Sequence, residues 1–93
     1  IKITLKHREY NRVNESSEWL AKSLRQVFPD FVLGPEFPPV ARIRNQYQKN
    51  ILIKIPPKQS LIKTKKAILK IKNSFLNVKD FRSVRVILNV DSY

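Results

Sequence analysis

The side chains able to do chemistry here are one histidine, seven carboxylates and nineteen Lys and Arg. His7 has no evident nucleophile beside it and cannot alone build a multi-histidine metal site. The carboxylates of Glu9, Glu15, Glu18, Asp30, Glu36, Asp80 and Asp91 are scattered, with no close pair for acid–base work. The chain has no Cys, which excludes disulfides, thiol catalysis and Cys-ligated zinc. No Gly-rich phosphate loop is present. The expectation is therefore a binding module rather than an enzyme, with no cofactor of its own. What remains is the positive charge. A formal net charge of +12 predicts an anionic partner, whether nucleic acid, acidic peptide or anionic membrane.

The charge is unevenly placed. Residues 1–36 carry six Lys/Arg against five acids, residues 37–79 carry eleven and no acid, and residues 80–93 carry two of each. A merely soluble surface mixes its signs, so the middle of the chain is expected to supply a shared anion-attracting surface. An ordinary solvated basic surface is the alternative.

The elements that must position these cations follow from hydrophobic period. Ile1, Ile3 and Leu5 alternate with Lys2, Thr4 and Lys6, which predicts a half-buried strand. A helix over about Asn11 to Phe28 is expected, its apolar stripe made of Val13, Leu20, Ala21, Leu24 and Phe28, with Pro29 closing it. Phe31-Val32-Leu33 forms a short strand stopped by Gly34, the one Gly, which points to positive φ or a close approach. Pro35, Pro38 and Pro39 keep the following loop extended. From Ala41 to Ile55 one alternation persists, predicting a single long strand bulged near Lys49-Asn50. Pro56-Pro57 ends it. A second helix over about Ser60 to Leu76 has Leu61, Ile68, Ile71 and Phe75 as its core stripe, with Lys63, Lys66 and Lys70 opposite. Val84, Val86, Leu88 and Val90 alternate with Arg85, Ile87, Asn89 and Asp91 in a closing strand.

The order β-α-β-β-α-β defines an α+β chain of the ferredoxin-like, split β-α-β kind. Its four-stranded, largely antiparallel sheet carries both helices on one face, in a single domain over residues 1–93. The polar strand positions then share the open face: Lys2, Thr4, Lys6, Arg42, Arg44, Gln46, Lys54, Arg85 and Asn89. Of these, Lys2, Lys6, Arg42, Arg44, Lys54 and Arg85 are the candidate ligands of a nucleic-acid phosphate backbone, and a plain solvated face is the alternative. Tyr47 falls on the apolar phase and Trp19 beside the first helix's stripe, so packing is expected of both and base stacking is not. Contact is then sequence-independent and salt-sensitive. A second basic site lies at the start of the second helix. There Lys58, Ile62 and Lys63 suit a carboxylate-terminated peptide with apolar side chains, unless Ser60 simply caps that helix.

The run Val32-Leu33-Gly34-Pro35-Glu36-Phe37-Pro38-Pro39-Val40-Ala41-Arg42-Ile43-Arg44-Asn45-Gln46-Tyr47 resembles the C-terminal domain of the PriA family (primosomal protein N′), the replication-restart DNA helicases. His7-Arg8, Leu20-Ala21 with Leu24-Arg25, Ile51-Leu52-Ile53-Lys54-Ile55 and Asn89-Val90-Asp91 extend the resemblance over essentially the whole chain. The variant looks like those of the Bacteroidetes. The family commonly closes with Val-Asp-Pro, whereas Ser92 follows Asp91 here. The resemblance implies a domain of an ATP-dependent 3′→5′ DNA helicase acting at stalled forks. ATP, magnesium and zinc would be bound by other domains. It implies binding of single-stranded and branched DNA, a fold like a small-subunit ribosomal protein, and a cytoplasmic location. Other primosome proteins would be partners, as would the acidic tail of single-stranded-DNA-binding protein. That tail would lie near Lys58 and near Ile62, where relatives often carry a polar residue. A ribosomal-type RNA-binding protein is the third reading. The missing Met, with Ile1 expected not to be the natural start, and the quoted run argue against it. No apolar stretch approaches the ~20 residues that span a bilayer, so no membrane partner is expected.

Overall fold

The opening alternation becomes strand β1 (Lys2–His7), with Ile3, Leu5 and His7 buried and Lys2, Thr4 and Lys6 half-buried. The structure, a computed structural model, describes residues 1–40, 42–54 and 61–89. Ala41, Ile55, Pro56, Pro57, Lys58, Ser60, Val90 and Asp91, all assigned roles from the sequence, lie outside the described residues. So does the side chain of Leu61.

Helix α1 spans Tyr10–Val27 and buries Val13, Leu20, Ala21 and Leu24, the expected stripe. Ser16 and Ser17 are buried with them, and their hydroxyls donate back to the Val13 and Asn14 carbonyls at 3.2 and 3.0 Å. That local bonding satisfies two polar groups inside an apolar face. At its C-terminus the Phe28 N–H donates to the Leu24 carbonyl at 2.7 Å. Pro29 has no N–H with which to continue.

Strand β2 spans Val32–Glu36 and does not stop at Gly34. Gly34 instead sits at φ +95°, followed by a cis Gly34–Pro35 bond. The strand continues because the register against its neighbour shifts there, Leu33 pairing with Leu52 and Glu36 with Asn50. The extra residue is therefore in β2, opposite the place where the long strand was expected to bulge.

The long strand itself is two strands. β3 (Arg42–Ile43) and β4 (Gln46–Ile53) form a hairpin with Arg42 opposite Tyr47 and Ile43 opposite Gln46. Arg44 and Asn45 make the two-residue turn, both at positive φ, 52° and 65°. That pairing of positive φ values matches a type I′ hairpin, whose twist suits the flanking strands, and Asn is among the residues that tolerate it. Helix α2 (Leu61–Leu76), a 3₁₀ turn (Lys79–Phe81) and β5 (Arg85–Asn89) complete the chain.

The sheet runs β2-β4-β1-β5, every described neighbour antiparallel, with β3 added beside β4. This is the expected split β-α-β, ferredoxin-like architecture, with five strands rather than four. Ile3, Leu5, Ile51 and Ile53 from the sheet join Leu24 of α1 and Ile68 and Phe75 of α2 in one core. Phe75 and Phe81 stack at 5.1 Å, and Trp19 meets both edge-on at 5.8 and 6.1 Å. Trp19 thus packs, as expected. No described helix is long and apolar enough to cross a membrane.

Candidate nucleic-acid interface

Residues paired across antiparallel strands project from the same side of the sheet, so the register gives the composition of the open face. One row runs Asn89, Lys2, Leu52, Leu33, and the next runs Ile87, Thr4, Asn50, Glu36. A third row runs Arg85, Lys6, Gln48. Lys2, Lys6 and Arg85 therefore share the open face, as the sequence predicted. Lys54, exposed just beyond β4, continues the phase of Leu52. Thr4 Oγ1 donates to Asn50 Oδ1 at 2.9 Å, so part of the face's hydrogen-bonding capacity is used internally.

Lys6 and Arg85 are direct cross-strand partners. Like charges so placed repel, and neither has a carboxylate partner among the described residues. Lys2 lies four residues back along the same strand, ~13 Å away at strand rise. Arg12, by contrast, does meet acids, 3.9 Å from Glu9 and 3.8 Å from Asp80. Among the described residues, Glu36 is the acid on the open face, at its β2 edge.

Arg42 and Arg44 are not on the open face. Reversal of the chain at the hairpin changes the phase: even-numbered Arg42 pairs with odd-numbered Tyr47, and Tyr47 pairs with buried His7. Arg42 consequently stands on the helix side, its guanidinium 5.4 Å from the Tyr47 ring centroid. Arg44 is at the turn, and exposed Ile43 takes the open-face phase beside Gln46. The described cations of the middle of the chain therefore do not gather into one surface. Arg42 and Arg44 are at the hairpin, Lys49 is buried, and Lys63, Lys65, Lys66 and Lys70 line the exposed side of α2. The open-face cations come chiefly from the first and last strands.

Of the expected peptide site, Lys58 is outside the described residues. Ile62 is 68% exposed and stands next to exposed Lys63 in the first turn of α2.

An aromatic cluster at the hairpin end of the sheet has no counterpart among the sequence expectations. Tyr10, the first residue of α1, stacks on Phe37 from the loop after β2, with centroids 5.5 Å apart and planes at 11°. Tyr47 meets Tyr10 edge-on at 5.4 Å. Lys49 Nζ lies 4.7 Å from the Phe37 centroid, and Lys49 is only 8% exposed. Each aromatic comes from a different segment, so no local spacing signals the group; Tyr47 on the apolar phase was its one legible member. His7 holds this end together. Its Nδ1 accepts the Glu9 N–H at 2.9 Å, so the neutral ring carries its proton on Nε2, 2.9 Å from Ser83 Oγ.

No known protein-family pattern and no curated protein matches the chain.

Proposed function

We propose that this chain is a non-catalytic DNA-binding domain that holds single-stranded and branched DNA by its backbone. We further propose that it serves a cytoplasmic replication-restart helicase of the PriA type as its C-terminal domain. ATP, magnesium and zinc would belong to the parent's other domains, and other primosome proteins would be its neighbours. The observation that carries DNA binding is the Lys6–Arg85 pair: two facing cations on the open sheet face, with no carboxylate partner among the described residues. A phosphate between them would replace repulsion by two charge-assisted contacts. The helicase assignment is supported by the sequence resemblance alone.

The test is fluorescence titration with single-stranded, duplex and forked DNA at several salt concentrations. The double substitution Lys6→Ala/Arg85→Ala should weaken binding to all sequences alike. For single strands it should flatten the log K against log salt slope by about 1.4, about 0.7 for each lost phosphate contact. An unchanged slope would remove the open face from the assignment.

A second reading is supported by exposed Ile62 beside Lys63: docking of the acidic tail of single-stranded-DNA-binding protein, or of the parent's own helicase lobes. Charge reversal at Lys58 and Lys63 should then abolish affinity for an acidic tail peptide while sparing DNA. Undiminished peptide binding would reject it.

A further inference from the structure

We propose that Tyr10, Phe37 and Tyr47 form a platform on which the bases of an unpaired DNA strand stack, with Arg42 and Arg44 holding the adjoining phosphates. The proposal rests on the DNA-binding reading above and adds a second contact surface to it.

Three observations converge. Tyr10 and Phe37 are 49% and 36% exposed although they stack on each other almost in parallel. Aromatic rings that remain partly exposed at the end of a sheet offer stacking surface to an unpaired base. Beneath them, Lys49 is nine-tenths buried, and its described contact is the Phe37 ring. The Lys49 ammonium therefore sets a positive charge against the Phe37 ring. Beside it, Arg44 occupies positive φ, a conformation unfavourable for a long L side chain, and has no described partner. Strain kept at an exposed cation points to a role for that cation.

The surroundings set the direction of the strand. A cavity of about 610 Å³ flanks Tyr10 and Tyr47 and includes Arg8 and Arg12, but also Glu9 and Glu15. Those carboxylates disfavour phosphate on that side, so the cavity suits a base and the backbone runs toward Arg42 and Arg44. Stacking without base-edge hydrogen bonds is sequence-tolerant, which fits a domain without other signs of sequence readout.

The test compares a single-stranded deoxyoligonucleotide with an abasic oligonucleotide of the same length and charge. The unaltered chain should bind the base-bearing strand about ten-fold more tightly, the range expected for one stacked base. Tyr10→Ala and Phe37→Ala should erase that preference while leaving the salt slope unchanged. Equal binding of both oligonucleotides by the unaltered chain, or a preference that survives Tyr10→Ala, would overturn the platform and leave backbone binding intact. If neither oligonucleotide binds at low salt, the DNA-binding reading fails and the platform with it. An acidic peptide whose affinity matches the oligonucleotide's and vanishes in Tyr10→Ala would also overturn the proposal, in favour of a protein ligand. Ultraviolet crosslinking of a 5-bromouracil strand to the unaltered chain removes any dependence on how the variants fold. Adducts at Tyr10, Phe37 or Tyr47 support the platform, and adducts confined to other residues reject it.

Discussion

At Gly34 the sheet tolerates no other residue. A Cβ there would lie 2.8 Å from the Asn50 carbonyl oxygen and 3.1 Å from the Glu36 nitrogen. Both neighbours are backbone, so neither can swing aside, and φ +95° adds a penalty of its own. Gly34→Ala should cost about 2 kcal/mol or more of stability, read as a lower urea midpoint at unchanged m-value. Arg44 presents the opposite case. Its φ of 52° suits Asn better than Arg, so Arg44→Asn should raise stability by about 0.5 kcal/mol, part of the ~1–2 kcal/mol left-handed penalty. The same change should weaken DNA binding through loss of a cation. A stabilised variant that binds DNA as well as the original would remove Arg44 from the interface.

Between residues and fold, the elements show where sequence reasoning succeeds. β1, α1, α2 and β5 were legible because each carries one uninterrupted period with its apolar residues in phase, and Pro29 marks one boundary. The position of Gly34 was legible too, since a single Gly ahead of Pro has few other uses. The hairpin was not. A two-residue turn leaves the alternation along the chain unbroken while exchanging the faces of odd and even positions. Ile43 and Tyr47 therefore look like neighbours on one face and stand on opposite ones. Asn45 was the available signal, and Arg44 before it masked the turn. The open-face cations of β1 and β5 followed directly from period two, whereas Arg42 was misplaced by the hidden reversal. His7 shows how elements lock at this end, since it bonds both the start of α1 and the approach to β5. His7→Ala leaves the Glu9 N–H without its partner and opens space beside Tyr47. It should cost about 2 kcal/mol, with faster amide exchange in the first turn of α1 as the local signature.

For the molecule as a whole, the question is how one strand could use two sets of cations on different sides of the sheet. Lys2, Lys6 and Arg85 face out from the open side, while Arg42 and Tyr47 stand on the helix side of the hairpin end, with Phe37 at the sheet edge, where it also borders Lys2, Asn50 and Leu52. The smallest dimension of the molecule is 18 Å, short enough for a flexible strand to turn around that end and meet both. Single-strand modules commonly cover about 4–16 nucleotides. A strand of about four should then occupy one surface and a strand of about twelve both. With the longer strand, Lys6→Ala/Arg85→Ala and Arg42→Ala/Arg44→Ala should each flatten the salt slope by about 1.4, and combining them by about 2.8. Such additivity is expected of groups that share no partners. With the four-nucleotide strand, only one of the two pairs should register, because the vacated surface releases no counterions. If both pairs change the slope equally at every length, the cations act as one diffuse field and the path around the sheet end is wrong.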